Sequence, residues 1–309
     1  MSGLDAVPTR PFGAVGTAMV TPLTEDASAL DLEAAQRLAV HLVEQGNDLL
    51  VLGGTTGESP TVGDAEKLEV LRAVREAVGT RARIVAGAGS NDTRHSIELA
   101  RASAELDIDG IMVVTPYYSK PSQDGILAHT RAVADATDLP VMLYDIPGRA
   151  GVGLSTDTLL RLAEHERIVA VKDAKGDLQQ ATLVMAQSEL AFYCGEDALN
   201  LAWLAIGAAG IVSVVGHAAS PLEAALVAAV DAGDLRRARE ISAQLAPLVD
   251  AIMMRMPGVV AAKTALMLQG VLAHAAVRLP LVPPNPDEVQ ALAAALGAAS
   301  GIPPLTRES

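Results

Sequence analysis

Lys172 closes the apolar run Ile168-Val169-Ala170-Val171, and Asp173-Ala174-Lys175-Gly176 follows it, so a segment with the character of a buried strand stops on an amine. An amine in that position can serve as a nucleophile. A free lysine has a pKa of about 10.4, so roughly one in a thousand is neutral near pH 7.5, and only the neutral form attacks a carbonyl. Burial at a strand end disfavours the ammonium form, each pKa unit being worth about 1.4 kcal/mol, so the surroundings decide how reactive the amine becomes. The alternative is a lysine whose stem packs while its head reaches water. The run by itself leaves both readings open. Lys175 is the rival amine, but its Lys-Gly context reads as solvated loop, where the pKa stays high.

A Schiff-base reaction also needs groups that move protons as the carbinolamine forms, dehydrates and collapses. Aromatic residues are 2% of the chain, yet three of its four tyrosines, Tyr117, Tyr118 and Tyr144, stand at the ends of apolar runs. Tyr144, in Tyr144-Asp145-Ile146-Pro147-Gly148-Arg149, is the leading proton-transfer candidate; the alternative is a tyrosine with a packed ring and a wet hydroxyl. The loop Gly53-Gly54-Thr55-Thr56-Gly57-Glu58-Ser59 can offer backbone N–H groups and the Thr55 and Thr56 hydroxyls to a small carboxylate, or it is an ordinary strand-to-helix turn. It lacks the Gly-Lys-Ser/Thr ending of a P-loop. Arg149 suits a second carboxylate through its bidentate fork, or a structural ion pair. The histidines, His41, His95, His129, His165, His217 and His274, show no paired spacing, so neither a metal nor a cofactor is expected.

The elements that must position these groups follow from periodicity. Short apolar runs at 14–20, 49–52, 84–88, 110–115, 141–145, 168–172, 191–194 and 211–215 alternate with segments of helical spacing at 31–44, 65–78, 93–105, 125–136, 156–165, 178–187 and 198–206. Alternation implies parallel pairing, and eight units predict an α/β fold, a (β/α)8 TIM barrel, with a doubly wound sheet as runner-up. Beyond Pro221 the pattern is helical only, at 222–232, 235–254, 259–272 and 286–296. The expected organisation is a catalytic barrel over 1–225 and a C-terminal helical extension over 226–309. Barrel chemistry belongs at the carboxyl ends of the strands, where Lys172, Tyr144 and the Gly53 loop all fall.

A net charge of -14 and a pI of about 4.8 argue against nucleic acid and anionic membrane as partners. The lone cysteine, Cys194, offers no disulfide partner and reads as core filling in a reducing compartment. Residues 1–12 contain prolines and charges but no continuous apolar stretch, so no signal peptide is expected and the chain reads as cytoplasmic. Residues 198–222 carry no formal charge and are long enough to span a bilayer, but Gly207, Gly210, Gly216, Asn200 and His217 interrupt them. A helix, a turn and a buried strand are expected there.

Taken together, Gly54-Thr55-Thr56-Gly57-Glu58-Ser59, Thr115-Pro116-Tyr117-Tyr118, Tyr144-Asp145-Ile146-Pro147-Gly148-Arg149 and Val171-Lys172-Asp173 resemble, in order and spacing, the dihydrodipicolinate synthase and N-acetylneuraminate lyase family. The resemblance runs from about Gly16 into the helical tail, including Arg278-Leu279-Pro280. It implies that Lys172 forms a covalent Schiff base with pyruvate, that Tyr144 transfers protons at the adduct, and that Thr55 relays them between Tyr144 and Tyr118. Tyr118 would reach in from a neighbouring subunit, and the family form would be a homotetramer built of two dimers. The backbone of Thr55 and Thr56 would hold the pyruvate carboxylate, and Gly195 and Val212 would line the same pocket. Arg149 matches the arginine that, in the synthase branch, binds the carboxylate of L-aspartate 4-semialdehyde, so the expected product is 4-hydroxy-tetrahydrodipicolinate. Alternatives are a pyruvate-dependent 2-keto-3-deoxy sugar-acid or hydroxy-oxoglutarate aldolase, and a catalytically silent keto-acid-binding barrel. Asp145 replaces a frequent asparagine and Asp173 a frequent glutamate. At the lysine feedback site of inhibited relatives, Asn91 and Tyr117 match, but His95 stands for glutamate and Asp64 and Lys67 for histidines, so lysine inhibition is expected to be weak or absent.

Overall fold

A computed structural model describes residues 8–299; the sequence readings at residues 1–7 and 300–309 lie outside the described residues. Eight parallel strands, β1 (Val15–Ala18), β2 (Leu49–Leu52), β3 (Arg83–Gly87), β4 (Gly110–Val114), β5 (Val141–Asp145), β6 (Ile168–Asp173), β7 (Ala191–Cys194) and β8 (Gly210–Ser213), close into a barrel in chain order. The crossovers carry α1 (Leu32–Glu44), α2 (Asp64–Val78), α3 (Thr93–Ala104), α4 (Gln123–Ala134), a short α5 (Pro147–Ala150), α6 (Thr156–Ala163), α7 (Leu178–Met185) and α8 (Asn200–Ala205). After β8 come α9 (Gly216–Asp231), α10 (Leu235–Val249), α11 (Gly258–Leu268) and α12 (Pro286–Ala298). The (β/α)8 TIM barrel with a C-terminal helical extension is therefore the observed fold.

Local sequence explains where helices start. Asp31, Asp92, Ser122, Ser155, Asp177, Asp234 and Asn285 each accept a backbone N–H from the first turn that follows. Each such cap contributes about 1 kcal/mol. The strands read as unbroken apolar runs because both faces are covered. Period-two alternation sends Leu50, Leu52, Ile84 and Ile111 out against the helices, and Leu49, Val51, Val85, Met112, Met142 and Ala170 into the barrel.

The amino end of the barrel is plugged. Phe12 is 1% exposed, its N–H donates to the Tyr193 hydroxyl at 3.2 Å, and that hydroxyl donates to the Gly13 carbonyl at 3.0 Å. A Cβ on Gly110 would lie 2.5 Å from the Phe12 ring, which explains why β4 begins on glycine. With that end filled, the carboxyl end remains for chemistry.

Some boundaries differ from those expected. β6 extends one residue beyond Lys172, to Asp173. The helix read over 235–254 ends at Val249, and a π-helical turn occupies Asp250–Met254. The helix read to 272 stops at Leu268. The 225/226 division falls inside α9, which is kinked near Ala219 and Pro221 and packs on β1 and β8. The uncharged stretch resolves into α8, β8 and the start of α9; among the described residues no helix is long and apolar enough to cross a membrane.

Candidate active site

Strands β5 and β6 pair so that Tyr144 lies beside Lys172 and Asp145 beside Asp173. Alternation then turns the first pair into the barrel and the second outward. Lys172 is 4% exposed, and its Nζ lies 4.5 Å from the centroid of the Tyr144 ring. The end of β7 presses on the same side chain, since a Cβ on Gly195 would stand 2.9 Å from Lys172 Cε. Only glycine fits there without moving the amine. Burial pushes the Lys172 pKa down to about 8; Asp197 and Cys194 pull it up, and the Arg149 guanidinium pushes it further down. At pH 7.5 a pKa of about 8 leaves roughly a quarter of the amines neutral, against one in a thousand for free lysine.

Tyr144 is held from both sides. Its carbonyl accepts from the Thr115 N–H at 3.0 Å and the Thr115 hydroxyl at 3.2 Å. Burial raises its phenol pKa, while the neighbouring Thr55 side chain and the positive charge of Arg149 act in the opposite direction. A phenol so placed stays protonated at neutral pH and has the Thr55 side chain beside it.

Tyr144 and Arg149 border a cavity of about 250 Å³. Its polar wall is Thr55, Ser59, Tyr117, Tyr144 and Arg149, and its apolar wall includes Met112, Val114 and Ile146. Such an opening fits a small polar metabolite held by a few converging groups. Arg149 stands on α5, a helix too short for periodicity to reveal, and among the described residues it makes no ion pair. Its guanidinium is thus available to an incoming carboxylate.

Thr55, Tyr144 and Arg149 share the cavity wall; Lys172 and Gly195 meet one another but are not among its lining residues. Thr56 and Val212 are buried at 8% and 1% exposure and do not line the cavity. Tyr118 is 89% exposed, with φ of 71°, and does not line its own chain's cavity. Its neighbour Tyr117 occupies the wall instead, a placement the sequence signal of two adjacent tyrosines could not resolve. Asp197 was visible only as part of Cys194-Gly195-Glu196-Asp197. Its carboxylate accepts from the Val214 and Val215 N–H groups at 2.9 and 3.1 Å and from the Ser213 hydroxyl, tying the β7 exit to the end of β8.

Lys175 corrects the expectation of a solvated amine: it is half-buried, and its Nζ donates to Gln180 Oε1 at 2.8 Å and the Leu154 carbonyl at 3.3 Å. It serves packing outside the barrel. The outward carboxylates have comparable work. Asp173 accepts from the Lys175 and Gly176 N–H groups, both at 2.8 Å, and Asp145 accepts from the Leu154 N–H at 3.2 Å. Burial, reinforced by the charge of Asp173, pushes Asp145 up to about 7. Cys194 is buried with its thiol pKa raised by burial, and it donates to the Glu196 carbonyl at 3.1 Å.

The fold and this site define a class: a (β/α)8 barrel with a desolvated lysine on the inner face of its sixth strand, flanked by a phenol. A sequence model of the Dihydrodipicolinate synthetase family matches residues 11–299, and the chain belongs to that family. It is 59% identical to the 4-hydroxy-tetrahydrodipicolinate synthase of Kineococcus radiotolerans, covering 97% of this chain and 96% of that one. It is 56% identical to 4-hydroxy-tetrahydrodipicolinate synthase 2 of Streptomyces coelicolor, covering 93% and 95%. Among solved structures, the lysine-bound dihydrodipicolinate synthase (DHDPS) of Cyanidioschyzon merolae superposes with a TM-score of 0.91 at 41% identity, covering 94% of this chain and 99% of that one.

Proposed function

We propose that this protein condenses pyruvate with L-aspartate 4-semialdehyde through a Schiff base on Lys172, giving 4-hydroxy-tetrahydrodipicolinate and opening the route to diaminopimelate and lysine. The observation that carries this reading is the buried Lys172 amine, 4.5 Å from the Tyr144 ring and lowered to about 8 by burial. The names borne by relatives at 52–59% identity support the same reaction.

The neutral amine adds to the pyruvate keto carbon, and water leaves as the imine forms. Loss of a methyl proton gives the enamine, whose carbon attacks the aldehyde of the second substrate. The amino group of that substrate then displaces Lys172 from the imine carbon, closing the ring and freeing the amine, with one water released overall. Tyr144 and Thr55 supply the proton path, and Tyr118 completes it from a neighbouring subunit. Backbone groups of Thr55 and Thr56 hold the pyruvate carboxylate, Gly195 and Val212 border the adduct, and Arg149 takes the carboxylate of the semialdehyde. The chemistry draws on no metal or cofactor. The role of Tyr118 requires at least a dimer, and a tetramer of two dimers is the proposed form, working in the cytoplasm. Sedimentation showing an active monomer would remove Tyr118 from the mechanism.

Borohydride reduction with pyruvate, followed by peptide mass mapping, should place a pyruvyl adduct on Lys172. No adduct, or one on Lys175, sinks the assignment. Steady-state assays should then rank aspartate semialdehyde above glyceraldehyde, glyoxylate and N-acetylmannosamine, and the reading falls if the semialdehyde is the poorest. Lysine should inhibit weakly or not at all. His95 Nε2 and Lys67 Nζ both bind Asp64, at 2.6 and 3.1 Å, so the three side chains satisfy one another where a lysine ligand would need them free. Half-inhibition at sub-millimolar lysine would overturn that expectation.

A further inference from the structure

The loop that bears Thr55 and Thr56 is anchored by an ion pair buried on both sides. Glu58, three residues beyond Thr55, is 2% exposed, and Lys263 on α11 is 1% exposed. One carboxylate oxygen of Glu58 accepts from Lys263 Nζ; the other accepts from the Arg278 N–H at 2.9 Å. Lys263 Nζ also donates to the Ala276 carbonyl at 2.7 Å. The Arg278 guanidinium continues the clamp, binding both oxygens of Glu66 at 2.7 Å and the Thr61 carbonyl at 2.9 Å.

A buried charge pair is an expensive way to hold two segments together, because taking both ions out of water offsets most of their attraction. Its advantage is geometric: the charges permit one arrangement and exclude its neighbours. Glu58 also sits at φ of 58°, in the left-handed region where a glycine would be the unstrained choice. Gly57 directly precedes it, yet the strained position carries the glutamate. Its N–H donates to the Thr55 carbonyl at 3.1 Å, so a single turn joins the anchored carboxylate to the cavity wall.

We propose that Glu58 and Lys263 are positioning residues for the reaction, fixing the Thr55-Thr56 turn against the C-terminal extension so that the Thr55 hydroxyl meets Tyr144 and the loop N–H groups meet the pyruvate carboxylate. This rests on the reaction proposed above. The extension thereby acts on catalysis from outside the barrel, through a contact that spans 205 residues of sequence.

The test is Glu58→Gln, with kcat, pyruvate KM, thermal melting and borohydride trapping measured together. Displacement of the turn should lower kcat about 10–100-fold and raise the pyruvate KM, measured well below the melting temperature, while the adduct on Lys172 still forms because β6 is untouched. A folded variant with kcat and KM within about twofold of the parent overturns the proposal, whatever its melting temperature. Failure of the parent to form the adduct indicts the reaction instead. If Glu58→Gln does not fold, the neutral pair Glu58→Gln with Lys263→Met is read by the same criteria. The parent protein supplies an independent measurement. Saturating pyruvate should slow hydrogen exchange at the Arg278 amide together with that of the 54–62 loop, because coupling between two sites is reciprocal. Protection of the loop alone overturns the proposal.

Discussion

Lys172→Ala should lower turnover by at least about 10³-fold, because among the described residues the other buried amines are committed elsewhere and cannot replace it. Lys175 is engaged by Gln180 and Leu154 outside the barrel, and Lys263 is committed to Glu58 and Ala276. The pH profile of the parent enzyme should carry the same signature. With the Lys172 pKa lowered to about 8, kcat/KM for pyruvate rises as pH increases through about 8, since the protonated amine is inactive and the neutral amine attacks. The sign is fixed by which form reacts: deprotonation activates. An inflection near 10 would show an amine that water still reaches, and residual turnover in Lys172→Ala above a tenth of the parent would remove the Schiff base from the main path.

Tyr144→Phe is the second large effect. The substitution keeps the ring against Lys172 Nζ and removes only the hydroxyl. The loss should be about 10²–10⁴-fold in kcat, the usual contribution of a positioned proton donor or acceptor. Trapping of pyruvate on Lys172 should persist, at a slower rate, and the inflection near pH 8 should stay because the burial that sets it is unchanged. A fall in kcat of less than about tenfold would assign the proton transfers to water or another group. Together the two variants separate the nucleophile from the proton path.

Much of this was readable in the chain. β2, β5 and β7 match the apolar runs at 49–52, 141–145 and 191–194 residue for residue, because runs bounded by turn residues are the signature of strands covered on both faces. Lys172 and Tyr144 could be placed at strand ends for the same reason. The helical pattern over 235–254 ran straight through the change to a π-helical turn, since apolar spacing does not distinguish the two within one turn. α5 escaped because Pro147-Gly148-Arg149 reads as a turn and four residues carry no period.

The residue pattern of the chain alone determined the barrel, the strand that bears Lys172 and the side chains near it, because these depend on local periodicity and on the rule that chemistry gathers at the carboxyl ends. Tertiary structure decided the rest. Register set Tyr144 beside Lys172, a Gly195 without a Cβ left room for the lysine stem, and burial moved the amine to about 8. It also chose Tyr117 over Tyr118 for the chain's own cavity, took Lys175 out of solvent, and joined Glu58 to Lys263 across the molecule. Each of these depends on side chains distant in sequence excluding water from one another, and excluded water leaves no mark in a linear pattern.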